Sequence, residues 1–340
     1  MTHEICRQLP VCKVSRDDPA HPPMGRRIKH FGMNVAGQVA AALGTLPGQQ
    51  ASDEFGILVY HRVAPVQPGF PRPTLNVTPD GFREQITGLK RRGFTFLPLR
   101  EVLRKAAARE SLPARTAVIT FDDGFESVYE YAWPTLQQFD VPATIFLNTG
   151  YLNHETPFPF DAWGQTYAGK IAPISYRPLS ESQCRAMADN GLIELGAHTH
   201  THADFRGHDE DLRFDMEVCL QELEKRFGVR NPSFAFPSGK PSMGFAGESS
   251  VAVVQELGVT CALTTEAVCA RATESPFSWG RFNVYEWDSS RTLAAKLQGY
   301  FSWAPRLAEG AAQLLKKRSQ QTSRPVVSSP VGQLVEGSHG

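Results

Sequence analysis

No Cys-x-x-Cys pair occurs in this chain of 340 residues. Its six cysteines, Cys6, Cys12, Cys184, Cys219, Cys261 and Cys269, are scattered, so neither a zinc ribbon nor a dithiol redox motif is indicated. They read as isolated buried thiols, compatible with a reducing compartment. Net charge is absent as well, because 35 Lys and Arg balance 35 Asp and Glu. Without a global field the chain as a whole is not drawn to nucleic acid or to anionic membrane, and no nucleic-acid partner is expected. Nor does any stretch reach the roughly 18 uninterrupted apolar residues of a transmembrane helix. The nearest approach is Phe31 to Gly44, behind the basic run Arg26-Arg27-Ile28-Lys29-His30, and Asn34 and Gln38 interrupt it. With about two dozen residues ahead of it, this is a poor secretory signal; a short helix touching a surface or a membrane is equally compatible. A cytoplasmic or membrane-peripheral setting is expected, with a secreted or periplasmic one as the alternative. No internal repeat is visible.

What is present is the composition of a globular protein, 41% hydrophobic and 21% charged. The length suits one large domain the size of a closed α/β barrel, or two smaller ones. Residues 1 to about 25 are rich in Pro, Asp and Arg without periodicity and read as a disordered leader. The fold proper is expected to begin near Glu54, with Phe55 to Tyr60 as a buried-type strand ending on His61-Arg62, followed by a Pro-rich loop. Thr78-Pro79 reads as a helix start, and Phe82, Ile86 and Leu89 form one apolar stripe. Further strands are expected at Phe94 to Leu97, Thr116 to Phe121, Ala143 to Leu147, Ile193 to Ala197, Ser233 to Phe236, Cys261 to Thr264 and Arg281 to Val284. Helices are expected over Leu99 to Arg109, Val128 to Phe139 with a break at Pro134, Ser180 to Asn190, Asp209 to Phe227, Ser250 to Leu257 and Leu293 to Tyr300. Tyr151 to Ser180 reads as a long loop, whose aromatics would form either the wall of a cleft or a satellite hydrophobic cluster. The alternation implies a parallel sheet covered by helices, closed as a barrel or doubly wound.

In such folds the site lies at the carboxyl ends of the strands. Four strands here end on unusual polar residues: His61, the pair Asp122-Asp123, the run His198-Thr199-His200-Thr201-His202, and Pro237-Ser238-Gly239. An Asp-Asp-Gly segment alone is equally a solvated turn. In a partly buried pocket, however, two adjacent carboxylates need a shared proton or a cation. A lone His61 is more often a structural histidine, satisfied by a hydrogen bond to backbone. Three histidines in five residues are harder to assign to structure alone. Two imidazoles and one carboxylate leave positions open for water and substrate, as a hydrolytic metal site requires, and Asp123, His198 and His202 supply that set. Asp122, beside the ion without ligating it, would accept a proton. A magnesium site would prefer oxygen ligands.

Thr120-Phe121-Asp122-Asp123-Gly124, His198 to His202 and Phe234-Ala235-Phe236-Pro237-Ser238-Gly239, in this order, resemble the motifs of the polysaccharide deacetylases, the carbohydrate esterases that share the NodB homology domain. The resemblance covers roughly residues 55 to 290. It implies an α/β fold of the distorted (β/α) barrel type and a divalent metal, usually Zn2+, held by Asp123, His198 and His202. Asp122 would be the general base, the backbone around Pro237 and Ser238 would face the oxyanion, and His200 would stand behind the ligands. Trp163 is a candidate for the cleft. The chain departs from the family pattern in that Ala235 replaces an Arg and Ser238 a Tyr common in the third motif, and in that the late Leu-x-His that usually provides the general acid is missing. The early Tyr60-His61-Arg62 resembles the exopolysaccharide-deacetylase branch, in which His61 would be the acid and Arg281 would replace the missing guanidinium. The domains implied are an N-terminal extension over 1–53, a catalytic domain over 54–303 and a tail over 304–340. The activity implied is removal of N-acetyl groups from N-acetylated oligo- or polysaccharides, with release of acetate. Two alternatives are an amidase acting on a small non-sugar amide and a degenerate carbohydrate-binding protein.

Overall fold

The computed structural model describes residues 53–300. The expected leader, the apolar stretch near Phe31 and the tail lie outside the described residues. In chain order the elements are β1 (Glu54–Tyr60), β2 (Arg62–Val63), β3 (Asn76–Val77), α1 (Pro79–Arg91), β4 (Thr95–Phe96), α2 (Leu99–Ala108), β5 (Thr116–Phe121), α3 (Trp133–Phe139) and β6 (Ala143–Leu147). There follow α4 (Ala162–Tyr167), α5 (Glu181–Asp189), β7 (Ile193–Ala197), α6 (Asp209–Phe227), β8 (Phe234–Ala235), α7 (Glu248–Glu256), β9 (Ala262–Leu263), β10 (Ala270–Arg271), β11 (Phe282–Asn283) and α8 (Ser290–Leu297). Helix starts follow local chemistry. The Thr78 hydroxyl accepts from Gly81 N ahead of α1, and Ser180 with Gln183 forms a reciprocal capping box at α5.

Strands β1, β5, β6, β7, β8 and β9 lie side by side, each parallel to the next, and β11 is parallel to β1 on its other edge. One parallel bridge, Leu263 to Trp279, joins β9 to the segment that leads into β11. The sheet therefore closes on itself as a distorted barrel rather than lying open as a doubly wound sheet. Two short additions were not anticipated: β2 pairs with β3 in a small separate sheet, and β10 runs antiparallel to the start of β1.

Alternation along the strands sorts the apolar residues into two layers. Phe55, Ile57, Val118, Phe146, Ala235, Leu263 and Trp279 cluster together in the barrel interior. Their neighbours Leu58, Tyr60, Ala117, Ile119, Phe121, Ile145, Leu147, Leu195, Phe234 and Phe282 pack outward with helix residues such as Phe82, Ile86, Leu136, Met187, Met216 and Leu293. Phe146 fills the barrel so fully that a Cβ on Gly196 would stand 2.6 Å from its ring, so only glycine fits there. Continuing the inward columns in steps of two residues reaches Asp122 after β5, Asn148 after β6, His198 after β7, His61 after β1 and Arg281 before β11. The site is thus the upper end of the barrel core.

Two expectations need correction. Pro134 does not break the helix: a π turn over Val128–Ala132 leads directly into α3, with Pro134 in its first turn, where its missing N–H costs nothing. The stretch from Tyr151 to Ser180 is not featureless either, since it holds α4 and two single 3-10 turns, Thr149–Tyr151 and Pro173–Ser175. Of the cysteines, Cys184, Cys219 and Cys261 are buried, Cys269 is half-buried, and all four are free thiols.

Candidate active site

Asp122 and Asp123 follow β5, and the backbone turns sharply between them. Asp122 N still donates to Tyr60 O at 2.9 Å, whereas Asp123 and Gly124 have φ of 69° and 80°. A Cβ on Gly124 would meet Leu147 at 2.8 Å, so glycine answers both the conformation and the space. Left-handed backbone recurs at Thr199 (φ 68°), His202 (φ 55°) and Ser238 (φ 58°). Such conformations cost of order 1–3 kcal/mol each and persist where surrounding contacts over-determine them. Here they aim side chains from three strand ends at one point.

That point is bounded by Asp123, His198 and His202, whose ligand atoms all lie within 4.8 Å of one another. The Nε2 atoms of His198 and His202 stand 3.5 and 3.6 Å from Asp123 Oδ1. Asp123 Oδ1 is buried and has no hydrogen-bond partner. Donors of a tetrahedral ion with bonds of about 2.0–2.1 Å stand roughly 3.4 Å apart, so the spacing suits a shared cation better than direct hydrogen bonds. His198 Nδ1 lies 2.8 Å from Ala235 O, which keeps a proton on Nδ1 and the lone pair on Nε2. Burial pushes His202 down to about 4, so its ring is neutral at pH 7. Burial would raise Asp123, but His198, His61 and His202 outweigh it and hold the carboxyl well below the usual range. Asp123, His198 and His202 form a candidate divalent-metal site.

Asp122, whose Oδ2 lies 4.0 Å from His198 Nε2 at the edge of this cluster, is held in a different grip. Arg281 Nη1 and Nη2 donate to Asp122 Oδ1 and Oδ2 at 2.6 and 2.8 Å, a bidentate pair. Arg281 is 0% exposed and also donates to Thr120 Oγ1 at 3.3 Å and Thr264 O at 3.2 Å. Burial would raise the Asp122 carboxyl; the Arg281 guanidinium, aided by His198, overrides this and keeps it ionised. Arg281 reaches Asp122 from the segment that closes the barrel, ahead of β11.

His61 lies across the cleft, half-buried, and burial lowers its pKa against the opposing pull of Asp123 and Asp122. Its Nδ1 is buried without a hydrogen-bond partner. Pro237 and Ser238 form the turn after β8, where Thr265 Oγ1 donates to Ser238 O at 2.7 Å. His200 turns from the cluster, with Nδ1 2.9 Å from Thr149 Oγ1. Its N–H donates to Asp215 Oδ1 at 2.5 Å, and the Thr201 hydroxyl donates to Asp215 Oδ2 at 2.5 Å. Asp215, on α6, therefore staples the loop between His198 and His202, and burial pushes its carboxyl up to about 6. Trp163 is buried against Ile171 and Tyr176 and donates Nε1–H to Pro71 O at 2.7 Å. The aromatic of that stretch that reaches the metal cluster is Phe160, whose ring stacks on His202 with centroids 3.8 Å apart. Asp215 and Phe160 were not singled out in the sequence. An acid on an amphipathic helix and one aromatic among several carry no distinguishing local signal.

Residues 109–262 match the model of the polysaccharide deacetylase family. Among curated relatives, the poly-beta-1,6-N-acetyl-D-glucosamine N-deacetylase of Staphylococcus aureus (strain MRSA252) is 27% identical over 173 residues, 48% of this chain and 54% of the relative. The enzyme of the same name from Staphylococcus epidermidis is 28% identical over 173 residues, again 48% of this chain and 54% of the relative. The chain thus spans about half the length of the curated relatives it matches. Among solved structures, the Streptococcus pyogenes deacetylase PplD in complex with acetate superposes with a TM-score of 0.60 at 22% identity, covering 73% of this chain and 99% of that one. IcaB from Ammonifex degensii superposes with a TM-score of 0.60 at 24% identity, covering 73% of this chain and 98% of that one. These likenesses agree with the distorted barrel described above. Among the described residues no helix is long and apolar enough to cross a membrane.

Proposed function

We propose that this chain is a metal-dependent N-deacetylase that removes acetyl groups from N-acetylated sugars of an exopolysaccharide, with the catalytic domain over 54–303. The observation that carries this reading is the division of labour in the acid pair. Asp123 offers a buried, unpartnered oxygen to the Nε2 atoms of two imidazoles, while Asp122, its immediate neighbour, is locked as a carboxylate by Arg281. Asp123, His198 and His202 would hold the metal, and two imidazoles with one carboxylate favour Zn2+. When bound, such a cation supplies Lewis-acid polarisation of the acetamide carbonyl and makes water more acidic.

Asp122 accepts the proton of the attacking water as oxygen adds to the acetamide carbon. Arg281 keeps this carboxylate ionised and fixed in direction, so the base is in its working form before substrate arrives. The N–H of Ser238, in the turn after Pro237, faces the developing oxyanion as a fixed dipole. His61 protonates the amine as the carbon–nitrogen bond breaks, giving acetate and a free amino sugar. His200 and Trp163 act at a distance from the reacting atoms, the first by shaping the ligand loop. The names of the staphylococcal relatives make β-1,6-linked N-acetylglucosamine oligomers the first substrates to assay.

The test is Asp122→Asn. The variant is expected to retain fold and metal while acetate release from those oligomers becomes undetectable. Turnover near that of the wild type would remove Asp122 from the mechanism. Release of carboxylate from small non-sugar amides, with none from the oligomers, would redirect the reading to an amidase.

A further inference from the structure

We propose that Phe160 and Asp161 are positioning residues for the metal ligand His202. In this arrangement the buried Arg62–Asp161 ion pair latches the arm around α4 so that the Phe160 ring lies flat on the His202 imidazole. The inference rests on the metal assignment made above.

A histidine that ligates a metal ordinarily has its other ring nitrogen hydrogen-bonded, which fixes the ring plane. His198 follows this rule through Ala235 O. His202 does not: its Nδ1 is buried and has no hydrogen-bond partner. Its plane is set instead by Phe160, with centroids 3.8 Å apart and planes inclined by 21°. Phe160 in turn is backed by Phe158, stacked at 5.0 Å, and Phe158 by Phe125 at 4.9 Å.

A stack orients a ligand only if the stacking ring is itself held, and the next residue supplies the hold. Asp161 Oδ2 lies 2.5 Å from Arg62 Nη2, with side chains 9% and 3% exposed. The Arg62 guanidinium also lies over the rings of Phe125 at 4.2 Å and Trp163 at 5.1 Å. Packing inside the arm is close enough that a Cβ on Gly164 would stand 2.3 Å from Asp161 Oδ2. Because Arg62 follows His61 directly, the latch ties the wall that carries the proposed acid to the opposite wall that carries the ligand.

The experiment is a titration of the chelator-stripped full chain with Co2+, read by visible absorption without substrate. Phe160→Leu keeps apolar volume and removes the flat ring; Asp161→Asn keeps size and removes the charge. Each is expected to weaken Co2+ binding by about 10-fold or more, in line with losses of supporting contacts at metal sites, and to shift the visible band. Since the two act in series, the double variant should bind no more than about threefold more weakly than Phe160→Leu alone, because shared partners make losses non-additive. Wild-type affinity and spectrum in Asp161→Asn, or losses that multiply in the double variant, overturn the proposal. If Asp161→Asn does not fold, Gly164→Ala displaces the carboxylate with both charges retained and is expected to give the same loss; unchanged affinity there overturns it equally. Cobalt binding is independent of which acyl group is cleaved, so absence of acetate release would leave this result standing. A wild-type protein that takes up no cobalt refutes the metal assignment and the latch together.

Discussion

Replacing Arg281 with methionine removes a wholly buried guanidinium that makes four hydrogen bonds, two to Asp122 and one each to Thr120 Oγ1 and Thr264 O. The methionine fills much of the stem volume, so the loss is mainly electrostatic. What remains is an ionised Asp122, 2% exposed, beside a second buried carboxylate. Breaking a buried pair by deleting one partner costs about 3–5 kcal/mol, because the survivor keeps its desolvation penalty and loses its compensation. At roughly 2–4 °C per kcal/mol for domains of this order of size, the melting temperature of the chelator-treated protein should fall by about 6–20 °C at pH 7. Asp122→Asn strands the opposite charge and should also destabilise. The double variant Asp122→Asn/Arg281→Met leaves neither charge unpaired, and should lose less than the sum of the single losses by about 1–3 kcal/mol. Thermal unfolding of the four proteins completes the cycle. A single-variant loss under about 1 kcal/mol, or strictly additive losses, would refute the claim that Arg281 neutralises Asp122.

Three further outcomes follow from other parts of the fold. Asp215 has its carboxyl raised to about 6 by burial, so between the unfolded value of about 3.9 and 6 the folded state binds the extra proton. Stability should therefore decline as pH rises through that window and level off above it; Asp215→Asn should flatten this slope in melting temperature against pH, and an unchanged slope would exclude Asp215 as its source. Gly196→Ala drives a methyl to within 2.6 Å of the Phe146 ring and should cost about 1–3 kcal/mol, measurable by urea unfolding. Chelation should abolish acetate release by the wild type, and restoring Zn2+ should return it.

Much of the architecture was legible because barrel strands announce themselves as short apolar runs that end on polar residues. β1, β5, β6 and β7 carry five to seven residues each, enough for composition to outweigh context. β2, β3 and β10 have two residues each, as β4, β8 and β9 do, but one of the two is Arg62, Asn76 or Arg271, which breaks the apolar run that marks β4, β8 and β9 in the sequence. Pro134 misled because proline is disruptive only where a helix needs its N–H, and the π turn ahead of α3 moves it to a position where none is needed. In the site, the candidate trio Asp123, His198 and His202 stood out by residue type, the two histidines four residues apart and the acid at the end of another strand. The grip of Arg281 on Asp122 joins residues 159 apart in sequence, and only strand order brings them together. Phe160 was hidden among the aromatics of its stretch, where Trp163 drew notice by size although its ring is committed to a satellite cluster.

The single bridge from Leu263 to Trp279 that shuts the barrel has a consequence for quality control within the molecule. The same few residues that complete the ring deliver Arg281 to Asp122, so a chain whose last strand has not docked holds two adjacent acids with no guanidinium between them and the barrel wall. Such a chain would carry a base of the wrong protonation state as well as an open seam. With Asp122 as the base proposed above, activity is expected to report on closure.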